Sequence, residues 1–310
     1  MIRVDHMISH SPNPTTSARK QALRVMSWNV WGGGRVREIT EVAQLLRIDV
    51  FAVIGCASGR GRALIAALSE VGFTHHIQSQ SSLGFSTFVS SRRPVSSVAT
   101  SGCPHPGLWT PVCLDEGLIV GAVYVPLDTR TDRSRKAEFW RWLLVEAERL
   151  KSRPAILVGD LNTGDQVLDR SGGMRFREGD AFAALGRSGW RDAFREMSPA
   201  AREFSWWSRV NGFRLDHGFV SSAGVDILAA KYVQEVGGHV LADPLRRPER
   251  AAISDHAAFV LDVAQMSRSE DPANVETLIY DLDTIGRVFD RPSSALVPPL
   301  RLSALVTHGP

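Results

Sequence analysis

Two kinds of hydrophobic pattern follow one another along the chain. The segment LRVMSWNVW (residues 23–31) alternates apolar and polar positions and is rich in strand formers, which predicts a strand. The segment DVFAVIG (residues 49–55) is a continuous apolar run and predicts a strand buried on both faces. Between them, residues 37–46 carry apolar side chains at helical spacing, and they predict a helix.

The same patterns recur as far as residue 263. Helical spacing predicts further helices at residues 63–72, 134–150 and 180–189. Strand patterns lie at residues 86–92, 118–127, 154–162, 213–221 and 257–263. Strands outnumber helices, and several strands are apolar throughout. We therefore predict an α/β fold in which a two-sheet β-sandwich is flanked by helices, in four layers, α/β/β/α.

The two ends of the chain differ from this central part. Residues 1–20 are polar and contain two prolines, and we interpret them as a flexible leader. Residues 21–266 form the predicted folded domain. In residues 267–310, ANVETLIYDLDTIGRVF can form an amphipathic helix, whereas RPSSALVPPL contains prolines and cannot. We interpret this segment as a C-terminal extension that docks on the domain, binds a protein partner or a second copy, or stays mobile.

Composition narrows the class of protein. The 310 residues are 44% hydrophobic and 22% charged, which suits a soluble globular protein with a sizeable core. No apolar run approaches the ~20 residues of a membrane span, and the first residues lack the apolar core of a signal peptide. We therefore expect a cytoplasmic protein that does not bind membranes. The net charge is only +3, but nearly all basic residues are Arg. Guanidinium groups bind phosphate bidentately, although a GC-rich genome also enriches Arg.

Five segments place Asp, Asn, His or Tyr at the ends of predicted strands. Strand ends are where a rigid scaffold meets solvent, so polar groups held there can converge. A single Asp-x-Asn or Ser-Asp-His is more often a turn or a helix cap, but five such ends together indicate a site. The segments are SWNV with Asn29, VYVP with Tyr124, VGDLN with Asp160 and Asn162, RLDHGF with Asp216, and SDHAAF with Asp255 and His256.

In this order, the five segments resemble the motifs of the endonuclease/exonuclease/phosphatase superfamily, which includes deoxyribonuclease I and exonuclease III. GDLN, RLDH and SDHA are the most specific of them, and the resemblance runs from about residue 23 to residue 263. It implies that residues 21–266 are a catalytic domain with the superfamily's fold. It also implies a phosphodiester hydrolase that depends on Mg²⁺ or Mn²⁺.

The segment that leads into the RLDH strand resembles the exonuclease III and abasic-site endonuclease branch. REFSWW precedes GFRLDHGF, and Trp206, Phe213 and Leu215 match positions that line a pocket for a flipped-out abasic sugar. The same side chains also suit the packed edge of a sandwich, since pockets and cores use the same residue types. Arg130 lies where related endonucleases place an Arg that contacts DNA. The implied partner is therefore nucleic acid, DNA in particular.

The resemblance assigns catalytic roles that hydrolysis of a stable anion requires. Asp160 matches the residue that orients or deprotonates the attacking water. Asn29 and Asn162 match the amides that hold Asp160 and a phosphate oxygen. His256 matches the imidazole that donates to the phosphate, and Asp216 matches the carboxylate that orients this imidazole and raises its pKa.

The remaining matches concern the phosphate and the metal. Tyr124 matches a phenol near the scissile phosphate or metal. The implied metal ligands are Asp255, which reaches the ion directly or through water, together with Asp160, Asn162 and Asn29. His217 should point to the opposite face of its strand, so we expect a structural role for it.

The strand at residues 49–55 departs from the family. The family strand reads roughly Asp-hydrophobic-x-x-Leu-Gln-Glu, and its Glu is the chief acidic metal ligand. Here Ile54 and Gly55 take the Gln and Glu positions, and neither can coordinate a hard cation. Leu127 also replaces the Asn or Gln that the family commonly has after Tyr-x-Pro. If the family geometry persists, Gly55→Glu should sharply raise metal affinity and cleavage.

Three functions remain open. The leading interpretation is a metal-dependent nuclease on DNA, an abasic-site endonuclease or 3′-exonuclease with an altered metal site. The second is a phosphatase or phosphodiesterase on a small phosphoester, because the superfamily uses the same core residues for such substrates. The third is a nucleic-acid-binding module without catalysis. The retained polar groups favour catalysis, because buried polar groups cost stability unless they are paired.

Overall fold

The computed structural model describes residues 21–265 except residues 246, 248 and 249. The predicted leader at residues 1–20 and the predicted extension at residues 267–310, with its proposed partner role, lie outside the described residues. Within the described part of the chain, no helix has both the length and the apolar character needed to cross a bilayer.

Two six-stranded sheets account for most of the described strands. The first sheet has the order β13-β16-β1-β2-β4-β3. Its strands are β1 Gln21–Gly32, β2 Val50–Ala57, β3 His75–Gln78, β4 Phe85–Ser91, β13 Val225–Val233 and β16 Ala258–Gln265. The second sheet has the order β5-β6-β7-β8-β12-β9. Its strands are β5 Val95–Ser97, β6 Trp109–Leu114, β7 Ile119–Tyr124, β8 Ala155–Asp160, β9 Arg191–Asp192 and β12 Asp216–Val220.

Helices and two short ribbons complete the described elements. The ribbons are β10 Trp206–Trp207 with β11 Gly212–Phe213, and β14 Glu235–Val236 with β15 His239–Val240. The helices are α1 Val36–Leu45, α2 Gly61–Glu70, α3 Arg135–Leu150, α4 Gly179–Arg187, α5 Ala193–Met197 and a short 3-10 turn at Pro106–Leu108. Each sheet contains one parallel pair, β1 with β2 and β7 with β8, and α1 and α3 make the respective crossovers.

Three apolar clusters hold four layers together. One lies between the two sheets and includes Val25, Ile156 and Phe259. A second joins the outer face of the first sheet to α1 and α2, and a third joins the outer face of the second sheet to α3 and α4. The alternation within β1 follows from this, because Val25 faces the other sheet while Met26 faces the helices. The predicted four-layer α/β/β/α sandwich is confirmed.

The predicted strand at residues 213–221 is shorter in the structure. β12 begins only at Asp216, because Phe213 pairs with β10 as part of β11 and the backbone of Arg214 and Leu215 bonds to loops. The N–H of Arg214 donates to the carbonyl of Asp169 at 2.9 Å, and the carbonyl of Leu215 accepts from the N–H of Leu161 at 2.8 Å. These bonds tie the start of β12 to the loop after β8, where the polar residues converge.

Candidate active site

The polar strand ends meet where the carboxyl ends of β1 and β8 face each other across the sandwich. Asp160 is the last residue of β8, and Asp216, the first residue of β12, pairs with it in register. Asn29 comes from β1 in the opposite sheet, and its Nδ2 donates to Asp160 Oδ2 at 3.0 Å. This bond joins the two sheets at the centre of the site.

Asp160 is buried and held through both carboxylate oxygens. Its Oδ1 accepts from the backbone N–H of Asn162 at 2.9 Å, in a turn where Asn162 adopts a φ of +48°. Asn tolerates this left-handed conformation better than most residues. Burial raises the pKa of Asp160 to about 7, and the charge of Asp216 adds to this rise while His256 and the two hydrogen bonds oppose it. Asp160 can therefore accept a proton near neutral pH.

His256 forms an acid–base pair with Asp216. Its Nδ1 lies 2.8 Å from Asp216 Oδ2, and its Nε2 lies 3.8 Å from Asp160 Oδ2 and 3.9 Å from Asp255 Oδ1. Burial alone would lower the pKa of His256, but the charges of Asp216, Asp160 and Asp255 raise it to about 9. The imidazole is therefore protonated at neutral pH, with Nδ1–H donating to Asp216 and Nε2–H left for another acceptor.

Tyr124 and Asp255 lie around this centre. Burial raises the pKa of the Tyr124 phenol, and the nearby carboxylates of Asp160 and Asp255 raise it further, so the hydroxyl stays protonated. Tyr124 shares a hydrogen bond with the side chain of Asn162. Asp255 Oδ2 accepts from Trp206 Nε1 at 2.8 Å, which fixes the carboxylate against the aromatic ribbon of β10 and β11.

These groups form one end of a cavity of about 560 Å³. Of the predicted catalytic and metal-binding residues, those lining the cavity are Asn29, Tyr124, Asp160, Asn162, Asp255 and His256. Asp216 lies behind His256. The predicted aromatic pocket residues Trp206, Phe213 and Leu215 also line the cavity. Arg130 is exposed on the loop after β7 and is not among the lining residues, so its DNA contact stays a prediction.

Several cavity residues were not anticipated from the sequence. Arg175, Phe176 and Arg177 line the cavity from the loop before α4, and Lys136 lines it from the start of α3. The alternation of basic and apolar residues in MRFRE was the signal that could have identified this loop. Lys136 Nζ donates to the carbonyl of Asn162 at 2.6 Å and pairs with Glu178 Oε2 at 3.1 Å. The remaining unanticipated lining residues are Trp31, Phe85 and Met174.

A second buried cluster lies directly beside the site. The Arg214 guanidinium, fully buried, binds Asp169 through Nε at 2.7 Å and Asp192 through Nη2 at 2.5 Å, and Arg195 also pairs with Asp169. The Arg of the RLDH motif therefore compensates the charges of two buried carboxylates, Asp169 and Asp192. His217, the last residue of that motif, packs against Phe182 of α4 on the opposite face from Asp216. Burial lowers the pKa of His217 to about 4, so it is neutral and structural.

Gly55 has a conformation that a side chain would strain. It lies at an irregularity between β2 and its neighbours with a φ of +66°, and a Cβ built there would overlap Asn29 Oδ1. Gly55→Glu would therefore strain this backbone and crowd Asn29, and its effect on metal affinity and cleavage stays a prediction. A carboxylate at this position requires Asn29 to move, and Asn29 is the residue that holds Asp160.

The donor atoms of the site suit a divalent cation. Asp160, Asp216 and His256 form a group that could hold a metal ion, with ligand atoms all within 4.8 Å of one another. His256 Nδ1 and Asp216 Oδ2 already bond to each other, so the oxygens of Asp160, Asp255, Asn29 and Asn162 are the better donors for a hard cation. Three carboxylates face one imidazolium. Burial raises the pKa of Asp160, and the charge of Asp216 adds to the rise. A divalent cation would add positive charge beside these carboxylates.

Solved structures share this fold. An AP endonuclease from Archaeoglobus fulgidus aligns with a TM-score of 0.63 at 17% identity, over 77% of this chain and 98% of that chain. A 3′ phosphatase from Neisseria bound to a product DNA hairpin aligns with a TM-score of 0.61 at 19% identity, over the same shares. The AP endonuclease LMAP from Leishmania major aligns with a TM-score of 0.61 at 16% identity, over 84% of this chain and 92% of that chain.

Sequence comparison adds the family. No curated protein sequence matches the chain significantly. The model of the Endonuclease/Exonuclease/phosphatase family matches residues 26–256, which contain Asn29, Asp160, Asp216 and His256. That match spans most of the chain and both sheets of the sandwich, so the protein belongs to the endonuclease/exonuclease/phosphatase family.

Proposed function

We propose that the protein is a metal-dependent phosphodiester hydrolase that acts on DNA, as an abasic-site endonuclease or a 3′-end-processing exonuclease. The observation that carries the proposal is the arrangement of a proton acceptor and a proton donor in one cavity. Asp160 Oδ2 and His256 Nε2 lie 3.8 Å apart and border the same open volume. Nucleophilic attack on a phosphodiester needs both groups within reach of the phosphate.

Asp160 acts on the attacking water. Asn29 and the backbone N–H of Asn162 each occupy one carboxylate oxygen, which fixes the plane of the carboxylate and leaves a lone pair for the water. A pKa of about 7 lets Asp160 accept the proton of that water at neutral pH. The loss of this base should cost roughly 10²- to 10⁴-fold in rate.

His256 and Tyr124 act on the phosphate. The protonated imidazole points Nε2–H toward the cavity, because Nδ1 is engaged with Asp216. It therefore donates to a non-bridging oxygen, where negative charge grows during attack. The Tyr124 hydroxyl, which stays protonated, supplies a second donor at the same end of the cavity.

Asn29, Asp160, Asn162 and Asp255 are the residues that would hold Mg²⁺ or Mn²⁺. When bound, the ion supplies charge neutralisation for the phosphate. Gly55 adds no ligand, so we infer a metal site with fewer protein oxygens than the family pattern has. More of the ligands in this site would be water molecules. Such a site should bind the ion more weakly.

Nucleic acid is the substrate that the rest of the cavity fits. Arg175 offers a bidentate phosphate contact beside the aromatic side chains of Trp206, Phe213 and Phe176. The similar solved structures include two AP endonucleases and a 3′ phosphatase bound to a DNA hairpin, which supports DNA over a small phosphoester.

Cleavage assays test the proposal. The full chain is incubated with a labelled duplex that contains an abasic site, with a duplex that carries a 3′-terminal flap or phosphate, and with a chromogenic phosphodiester, in Mg²⁺ and in Mn²⁺. We expect cleavage of at least one DNA in one metal, abolished by EDTA and by Asp160→Asn. Turnover of the chromogenic ester alone would mean that the substrate is a small phosphoester and not DNA. DNA binding without cleavage in either metal would contradict hydrolysis altogether.

A further inference from the structure

The rim of the active-site cavity carries exposed apolar side chains that the proposed chemistry does not use. Trp31 is 70% exposed and Phe85 is 46% exposed, and both line the cavity. Among the described residues, they are the two exposed Trp or Phe side chains, and both lie at this one place. Leu127 and Met174 are also exposed cavity residues. Exposed apolar side chains gathered around one cavity indicate a binding surface.

The backbone holds Trp31 outward at a cost in free energy. Trp31 and Gly32 have φ values of +44° and +83°, and the N–H of Gly33 donates to the carbonyl of Val30 at 2.9 Å. Two successive positive φ angles define the tight turn that usually contains Asn-Gly. A bulky residue is strained there, and such strain clusters at functional sites. The N–H of Trp31 donates to Asn29 Oδ1 at 3.2 Å, so the same turn also orients Asn29.

Trp31 and Phe85 lie on either side of Gly55. Gly32 pairs with Cys56 on β2, and Ala57 of β2 pairs with Phe85 on β4. The two aromatic residues are thus two strand spacings apart, about 10 Å, with the end of β2 between them. Gly55 lines the cavity there without a side chain. A planar group entering this space meets an aromatic residue on each side and, at Gly55, no side chain.

We propose that Trp31 and Phe85 form a subsite that stacks unpaired nucleobases beside the scissile phosphate, so that the preferred substrate is a single-stranded segment or an unpaired 3′ end. The inference rests on the proposed function. Bases in a duplex already stack on their neighbours, whereas unpaired bases offer free faces to aromatic side chains. Arg175, which lines the same cavity, complements the phosphates that link such bases. A lipid chain would use the apolar rim but would gain nothing from aromatic faces.

Binding measurements separate this inference from catalysis. Asp160→Asn, which should not cleave, is the parent protein, and the probes are a fluorescein-labelled oligothymidine of about 12 nucleotides and a blunt hairpin duplex of similar charge. Fluorescence anisotropy at fixed salt gives the affinity for each. We expect Trp31→Leu and Phe85→Leu each to weaken oligothymidine binding by roughly 5- to 100-fold and duplex binding by much less. Trp31→Phe keeps an aromatic face and should keep most of the affinity.

A matched control and two contrary results complete the test. Val145→Ala, an exposed apolar residue on α3 outside the cavity, should change neither affinity. The stacking subsite is overturned if the Leu variants weaken oligothymidine and duplex binding equally, or if they weaken neither. The proposed function is tested separately, by the cleavage assay on the wild type. Loss of binding to phosphatidylglycerol vesicles in Trp31→Ala, without any preference of the parent for oligothymidine, overturns it in favour of a lipid surface.

Discussion

Two clusters of buried carboxylates lie next to each other along one short segment, and their charges are compensated in opposite ways. In the ion cluster, Arg214 binds Asp169 and Asp192. In the active site, Asp216 lies two residues further along and faces His256 and Asp160. Burial alone would raise the pKa of Asp169, but the Arg214 guanidinium lowers it to about 2. Burial raises the pKa of Asp160 to about 7, since the charge of Asp216 adds to the rise and the His256 imidazolium opposes it only in part.

The hydrogen bonds of the buried carboxylates show the same contrast between the two clusters. In the active site, Asp216 Oδ1 is a buried acceptor without a hydrogen-bond partner, whereas in the ion cluster both carboxylate oxygens of Asp169 accept hydrogen bonds from Arg214. The ion cluster therefore has enough positive charge, and the active site is short of it. A carboxylate that lacks compensation can accept a proton and attract a cation, which a fully paired one cannot. Burial by itself does not distinguish the two roles.

Asp160→Asn should have the largest effect. The amide cannot accept the proton of the attacking water, so cleavage should fall by roughly 10²- to 10⁴-fold while the fold is retained. Initial rates on the best DNA substrate measure the loss, and Asp180→Asn, an exposed acid on α4, is the control. An unchanged rate would place the base elsewhere.

Arg214→Met should have the largest effect on stability. It leaves Asp169 and Asp192 buried without their guanidinium partner, which should cost about 3–5 kcal/mol in the free energy of unfolding. Urea unfolding measures the loss, and Arg37→Met, on the exposed face of α1, should change little. A loss no larger than that of the control would mean that water reaches the ion cluster.

The two carboxylates should respond to pH in opposite directions. Asp169 has a lowered pKa in the fold, so its stabilisation is present above about pH 4 and is lost as the pH falls toward 2. Asp160 has a raised pKa in the fold, so in EDTA its ionisation destabilises the protein as the pH rises from about 4 to about 7.

Urea midpoints of the wild type, Asp169→Asn and Asp160→Asn across this range measure both effects. The deficit of Asp169→Asn should shrink in acid, and a gain for Asp160→Asn should appear toward neutral pH. Adding Mg²⁺ at neutral pH should reduce that gain, because the ion compensates the Asp160 carboxylate. Parallel pH profiles for all three proteins would refute the contrast.

Gly55→Ala should combine a modest loss of stability with a loss of rate. The positive φ should cost about 1–2 kcal/mol, and the added Cβ must displace Asn29 from Asp160. Gly117→Ala is the matched control, because Gly117 has a φ of +85° in a turn with open space around it. It should lose similar stability but keep its cleavage rate. An equal rate in both variants would mean that Asn29 does not position Asp160.

Arg175→Gln should have the smallest effect. Arg175 is exposed at the cavity and, unlike Arg214, is accessible to a phosphate. DNA affinity should fall a few-fold, and the slope of log affinity against log salt should decrease by about one. Anisotropy titrations over a range of salt measure both, with Arg37→Gln as the control. An unchanged slope would exclude a phosphate contact.

Much of the architecture could be predicted from local pattern. The alternation in β1, the apolar run of β2 and the helical spacing of α3 are set by neighbouring residues, so their periods are visible in the chain. Short strands such as β5 and β9 were not predicted, because two or three residues hold no period. The longer strands β6 and β13 were not predicted either. The polar strand ends were also visible, and the structure brings Asn29 and Asp160 together although 131 residues separate them.

What the sequence determined by itself was therefore the order of the strands and helices that local pattern predicts, and the polar side chains at the ends of those strands. Only the tertiary structure decided how those side chains are charged and which way they face. The sequence singles out Asp160 at a strand end and passes over Asp169, but neither charge state is visible there: Asp169 meets Arg214, whereas Asp160 meets Asp216 and His256. Trp31 continues the apolar pattern of β1, yet a left-handed turn exposes it at the cavity. Burial, charge compensation and backbone strain depend on residues distant in the chain, and local pattern does not encode them.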